Sequence, residues 1–192
     1  MNLIRSLDQV DQKIFLFLNS LHCPFMDNIM WQISGRFLWV PLYLAIIYFF
    51  IRERKRNVWV TLIAIAVMIL LSDQLANLVK DTVQRFRPSH NPLITGLVNI
   101  VKDYRGGDYG FVSNHAANSF AAAAFVSMFF ARRWITIAMF SWAALVSYSR
   151  IYLGVHYPFD ILGGAFLGYL IGIMMFRVER LVQQKYFRVS KQ

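Results

Sequence analysis

Cysteine is nearly absent from this 192-residue chain: Cys23 stands alone, which excludes an intrachain disulfide and a thiolate-built metal site and leaves the redox compartment open. Acidic residues are scarce, 10 against 20 lysines and arginines, and charged residues of either sign make up only 16%. No repeat, low-complexity tract or second domain interrupts the sequence. A cleavable signal peptide is not expected, because Ile14 to Leu18 is a short apolar run and Asp8 and Asp11 occupy what should be a basic region; the N-terminus is expected to be retained. What the chain has in excess is apolar surface. At 57% hydrophobic and 16% aromatic residues it exceeds an ordinary soluble domain, and it reads as an all-α integral membrane protein in one domain. The formal net charge of +10 does not indicate nucleic acid, since the basic residues fall between apolar runs instead of lining one polar face.

Five segments can span a bilayer, for which a helix needs roughly 20 mainly apolar residues: about 29–51, 58–79, 114–131, 134–148 and 159–176. Ahead of them, Leu3, Leu7, Val10, Ile14, Phe17 and Leu21 recur at helical spacing, with Arg5, Asp8, Gln12 and Ser20 on other faces. Residues 1–23 are therefore read as an amphipathic helix lying in the membrane interface, with packing on the transmembrane bundle as the alternative. Arg52 to Arg56, Arg132-Arg133 and a tail with Arg177, Arg180, Lys185, Arg188 and Lys191 alternate to one side, and together hold more than half of the basic residues. The positive-inside rule places that side in the cytoplasm, with the N-terminus outside and the C-terminus inside. The long connection 81–112, broken by Pro88, Pro92, Gly96, Gly106, Gly107 and Gly110, then faces outward, and its apolar piece from Leu93 to Val98 is read as a lid dipping toward the headgroups. In the fifth span Gly164, Gly168 and Gly172 form a small-residue stripe suited to close helix packing.

Three polar clusters fall on the outer side. Asp73, Asn77 and Lys80 share one helical face and are followed by Arg85, Arg87 and Pro88; interhelical hydrogen bonding accounts for Asp73 and Asn77 as well as chemistry does, and interfacial snorkelling is the plain reading of Lys80 and Arg87. Ser113-Asn114-His115 opens a helix, where unpartnered amides and the helix dipole favour an anion; Ser113 also suits an N-cap, and His115 suits proton transfer. Arg150, His156 and Asp160 stand at the junction of two apolar segments, where ionisable groups are costly and raise a functional hypothesis. Four residues separate His156 from Asp160, so the carboxylate can orient the imidazole and leave its other nitrogen free as nucleophile or base, and the Arg150 fork matches phosphate oxygens. Three cations, a hydroxyl, helix-end amides and two histidines describe a phosphoryl site. No metal or other cofactor is expected, because the histidines lack ligand spacing and the cations would repel a divalent ion.

The spacing Lys80-x6-Arg87-Pro88, Ser113-x-His115 and Ser149-Arg150-x5-His156-x3-Asp160 resembles the signature of the type 2 phosphatidic acid phosphatase superfamily, which includes membrane lipid phosphatases and soluble vanadium haloperoxidases. The resemblance implies that His156 attacks phosphorus, Asp160 orients it and His115 protonates the leaving oxygen. It also implies that Lys80, Arg87, Ser113 and Arg150 hold the phosphate. One motif departs from the family's Pro-Ser-Gly-His: Val112 and Asn114 replace the proline and the glycine. Asn114 tolerates unusual backbone angles, and its amide is expected to donate to the phosphate. By analogy with small members of the family, an isoprenoid diphosphate such as undecaprenyl diphosphate is the favoured substrate; lipid A phosphate, phosphatidylglycerol phosphate and phosphatidic acid are alternatives. A non-catalytic phospholipid-binding or transport protein is the rival from another class.

Overall fold

A computed structural model describes residues 2–187; Arg188 and Lys191 of the basic tail lie outside the described residues. Seven α-helices follow in order: α1 (Asn2–Ser20), α2 (Pro24–Ser34), α3 (Val40–Arg54), α4 (Val58–Val83), α5 (Asn114–Phe130), α6 (Arg133–Tyr152) and α7 (Pro158–Phe187). Among the described residues the only pairing of extended backbone is an isolated antiparallel bridge between Phe86 and Tyr109. Two stretches, Phe37–Val83 and Pro158–Phe187, are long and apolar enough to cross a membrane.

The helix expected to begin near Ile29 does not run through. Gly35 takes an extended conformation and its N–H closes α2 by donating to the Trp31 and Gln32 carbonyls at 3.1 and 3.0 Å. The chain resumes through a 3₁₀ turn at Phe37–Trp39, and Pro41 sits in the first turn of α3, where its missing N–H costs nothing. α2 is thus a separate helix.

Helices α3 to α7 pack around Phe50, Met68, Ala121, Phe125, Met139, Trp142, Ala143 and Phe176. Outward-facing positions such as Leu44, Ile63, Leu70, Ile137, Leu162 and Phe166 are exposed and apolar. The tightest pair is α5 against α7, where the Gly164, Gly168 and Gly172 stripe lies directly on the backbone of Ser113, Ala117 and Ala121.

At one end, the α3–α4 turn is fastened to α7. Glu179, 1% exposed, accepts two bonds from Arg54 at 3.0 Å and one from the Thr61 hydroxyl at 2.7 Å, and Gln183 donates to the Asn57 carbonyl at 3.0 Å. The last turns of α4 and α6 and the first turns of α5 and α7 meet at the other end. There the α6–α7 turn passes through Gly154, whose φ of +81° is open to glycine at no steric cost.

α1 lies across that same end, and the face it turns inward carries polar residues beside Phe15. Asp11, Phe15 and Asn19 are buried, whereas Leu3, Leu7, Val10, Ile14, Phe17 and Leu21 are all exposed. Asn19 donates to the Ile151 and Tyr152 carbonyls and accepts from the Asn99 amide, satisfying its buried amide group. In the 84–113 connection Ile94 is buried with Phe15 and Tyr157, while Leu93 and Leu97 are exposed.

Candidate active site

The α6–α7 turn carries His156 and leads into Asp160. His156 is 2% exposed and its Nδ1 lies 3.3 Å from Asp160 Oδ2. The same oxygen accepts the Tyr157 N–H at 2.9 Å, which fixes the carboxylate in the first turn of α7. Burial pushes the His156 imidazole well below its ordinary 6.5, and the positive charges of Arg87, Arg150 and Lys80 push it further. It is therefore neutral near pH 7, with Nδ1–H directed at Asp160 and the lone pair on Nε2.

Arg87 reaches that lone pair: its Nη1 is 3.3 Å from His156 Nε2. The segment leaving α4 is extended and held by backbone bonds from Arg87 N–H to Asp108 O and from Gly110 N–H to Arg85 O. In extended backbone residues two apart share a face, so Arg85 and Arg87 both turn toward the α6–α7 turn. Arg87 Nε is satisfied by the Tyr109 carbonyl at 3.0 Å. Arg85 goes instead to Asp160, its Nη1 donating to Oδ1 at 2.9 Å.

α5 enters from the opposite side. Ser113 caps it by accepting the Ala116 N–H, and the Ser113 N–H donates to the Asp160 carbonyl at 3.0 Å, which locks the start of α5 to the start of α7. His115 follows, half-buried, within electrostatic reach of Arg150, His156 and Arg87. Arg150, 3% exposed, is held by Ser34 on α2 and by the Tyr104 hydroxyl at 3.4 Å. Burial opposes ionisation of Tyr104, but Arg150 and Arg87 outweigh it and hold the phenol below its usual 10.

Asn114 differs from the expectation for it. Its Nδ2 donates to Asp73 Oδ1 at 3.1 Å and to Asn77 Oδ1 at 3.0 Å, and its Oδ1 accepts from Lys80 Nζ. Both amide donors are taken by α4, and the amide oxygen holds Lys80. Asp73 also accepts from Asn118 at 2.8 Å; the polar stripe of α4 is satisfied by α5, as interhelical hydrogen bonding requires.

The eight residues singled out in the sequence thus converge on one end of the bundle. Sequence reasoning named Arg85 in the first cluster without giving it a role, and it did not place Asp11, Tyr104 or Ser34 at the site. Arg85 had a signal in its two-residue offset from Arg87; Tyr104 and Ser34 had none. Below the site a cavity of about 570 Å³ opens between α3, α4, α5 and α6. Its mouth is polar, with Arg36, Asp73, Asn114 and His115, and its walls are apolar, with Tyr43, Phe50, Met68, Phe125, Trp142 and Val146.

Comparison with known proteins agrees. Residues 61–183 match the PAP2 superfamily. The lipid A 4′-phosphatase of Bacteroides thetaiotaomicron is 42% identical over 170 residues, covering 86% of this chain and 75% of the relative. An undecaprenyl-diphosphatase of Sulfolobus acidocaldarius is 27% identical over 170 residues, covering 87% and 77%. The transmembrane PAP2-type phosphatidylglycerolphosphate phosphatase of Bacillus subtilis shares the fold, with a TM-score of 0.71 at 21% identity over 96% of this chain and 90% of its own. With its three motif segments folded onto one site and the family match running from α4 into α7, the chain belongs to the PAP2 superfamily and is a phosphatase.

Proposed function

We infer that this protein is a five-span membrane phosphatase that hydrolyses a phosphate monoester of a sugar-linked lipid of the lipid A class at the outer face of the cytoplasmic membrane, without a metal. The observation that carries this reading is the His156–Asp160 pair beneath Arg87, beside an apolar-walled cavity whose mouth holds His115. His156 Nε2 attacks phosphorus, the bond to the leaving oxygen breaks, and His115 gives that oxygen its proton. Water then attacks the phosphohistidine, losing its proton to His115, and phosphate leaves. Lys80, Arg87, Arg150 and the first-turn amides of α5 behind Ser113 stabilise the charge on the transferring group.

The lipid A 4′-phosphatase relative, at higher identity than the undecaprenyl-diphosphatase relative, moves the preferred substrate away from the isoprenoid diphosphate favoured by sequence alone. Undecaprenyl diphosphate stands as the second reading on the strength of that second relative. Membrane placement follows the charges: the Arg52–Arg56 and Arg132-Arg133 turns lie at the end away from the site, so the positive-inside rule turns the site outward. α1 lies in the outer interface, its exposed apolar stripe against lipid.

A phosphate-release panel in mixed detergent micelles, with lipid A, undecaprenyl diphosphate and phosphatidic acid, tests the substrate. Lipid A is expected to turn over fastest; undecaprenyl diphosphate exceeding it ten-fold would move the assignment to the second reading. An acid-labile phosphoryl group trapped during turnover should disappear in His156→Ala, and its appearance on His115 instead would reverse the two histidine roles.

A further inference from the structure

A chain of buried charge continues behind Asp160, away from the phosphate. Arg85, whose Nη1 holds Asp160 Oδ1, directs its Nη2 at two carboxylates of α1: Asp8 Oδ1 at 2.6 Å and Asp11 Oδ2 at 2.8 Å, the latter in ion-pair contact off the hydrogen-bonding direction. The guanidinium also lies over the Tyr157 ring, 4.1 Å from its centroid. Asp11 and Asp160 side chains are fully buried, and that of Arg85 is 18% exposed. The second oxygen of Asp11 accepts the Phe159 N–H at 3.0 Å, one of the first-turn amides of α7 that lack a partner within the helix. Asp11 therefore grips both the arginine that holds Asp160 and the backbone next to Asp160. α1 lies wholly outside the family match at residues 61–183, so this contribution is added to the shared site from another part of the chain.

Three carboxylates around one guanidinium are more than packing needs. A buried carboxylate at position 160 keeps its charge and direction only while its cationic partner is held, and Arg85 is held from the far side by α1. We propose that Arg85 and Asp11 are positioning residues for catalysis: Asp11 fixes Arg85, Arg85 fixes Asp160, and Asp160 sets the tautomer and orientation of His156, so that docking of α1 is coupled to turnover. The relay rests on the nucleophile assignment made above for His156. Arg85 and Asp11 reach His156 only through Asp160, so they act on kcat and leave substrate binding alone.

The test uses the full chain in detergent, with phosphate release from lipid A and, in parallel, from phosphatidic acid, normalised to the folded protein recovered as a single size-exclusion peak so that misfolded protein does not count. Arg85→Gln and Asp11→Asn are each made alone and in an Asp160→Asn background, with Arg85→Lys as the conservative partner. Asp11→Asn retains an oxygen for the Phe159 amide and keeps the measurement available if Arg85→Gln does not fold. A ten-fold or greater loss of kcat with KM within two-fold is expected in either single variant, with partial recovery in Arg85→Lys. No further loss is expected once Asp160 is already Asn. An equal loss in the Asp160→Asn background, or unchanged kcat in Asp11→Asn, would reduce the cluster to a structural clasp and overturn the relay. Unchanged turnover in His156→Ala would overturn the nucleophile assignment itself and the relay with it.

Discussion

Gly168→Ala should separate α5 from α7 and damage turnover far more than stability. A Cβ at position 168 would sit 2.0 Å from the Ala117 carbonyl oxygen, 2.7 Å from its carbon and 2.9 Å from Ala117 Cα, where ordinary contact begins at 3.4 Å. All three atoms are backbone, so no rotamer change relieves the clash and the helices must part by roughly 1 Å. Overpacking of this kind costs about 1–3 kcal/mol, and the upper end applies because both sides are main chain. Alanine returns about 1 kcal/mol of helix propensity relative to glycine, leaving a net loss of about 2 kcal/mol. For a chain of this size that lowers the melting midpoint by roughly 4–8 °C. The catalytic effect is larger, because Ser113 caps α5 and His115 stands in its first turn, α7 carries Asp160, and the two helix starts are joined by the Ser113 N–H bond to the Asp160 carbonyl at 3.0 Å. Misplacement by 1 Å between reacting groups costs on the order of a hundred-fold in rate. Thermal unfolding followed by tryptophan fluorescence and phosphate release from the same detergent preparation give both numbers, with Gly107→Ala as comparison, since nothing lies within 4 Å of a Cβ there. Wild-type melting and wild-type turnover in Gly168→Ala would refute the close-packed seam.

Asn114→Gly restores the family's residue but releases Lys80 from its acceptor; losing a charge-assisted hydrogen bond of about 1.5 kcal/mol should raise KM about ten-fold with kcat little changed, and an unaltered KM in steady-state phosphate release would show that Asn114 does not order Lys80. At the far end, Glu179→Ala leaves Arg54 and Thr61 without their shared acceptor; breaking such a buried pair costs about 3 kcal/mol, and denaturant unfolding should register it while kcat of the surviving fraction stays at the wild-type value. The stability of the wild type should also fall as pH drops below about 6.5. There the unfolded chain binds a proton at position 156 that the buried, cation-surrounded imidazole of the folded state refuses. The loss amounts to at most about 1.4 kcal/mol per pH unit, and nothing is contributed above that range. His156→Gln should flatten that limb of the melting curve against pH, and an unchanged slope would assign it to other groups.

The site was legible where its chemistry is local and the fold was legible where its periodicity is uninterrupted. His156 and Asp160 stand four residues apart across a helix start, and Lys80, Arg87 and Arg150 carry charge at the edge of apolar segments where charge needs a reason. The break at Gly35 was hidden because apolar residues continue on both sides of it, and hydrophobicity alone does not register a glycine whose ψ has turned to 149°. The same limitation applies to Asn114. Its side chain was read as a phosphate donor from its place in a motif, while its actual partners, Asp73, Asn77 and Lys80, are fixed by how α4 lies against α5.

The hardest case was α1, and it shows what the solvent changes. An amphipathic pattern identifies two faces but not which one meets the protein. In water the apolar face turns inward, whereas beside a bilayer lipid competes for it on nearly equal terms and polar groups decide the docking. Asp11 and Asn19 are buried, and burying either without a partner is costly; both find partners off α1, Asp11 at Arg85 and the Phe159 amide, Asn19 at the Ile151 and Tyr152 carbonyls and the Asn99 amide. The apolar stripe from Leu3 to Leu21 is left facing outward as a consequence. The two acidic residues that made this segment unlike a signal peptide, Asp8 and Asp11, are the ones that join it to Arg85 at the site.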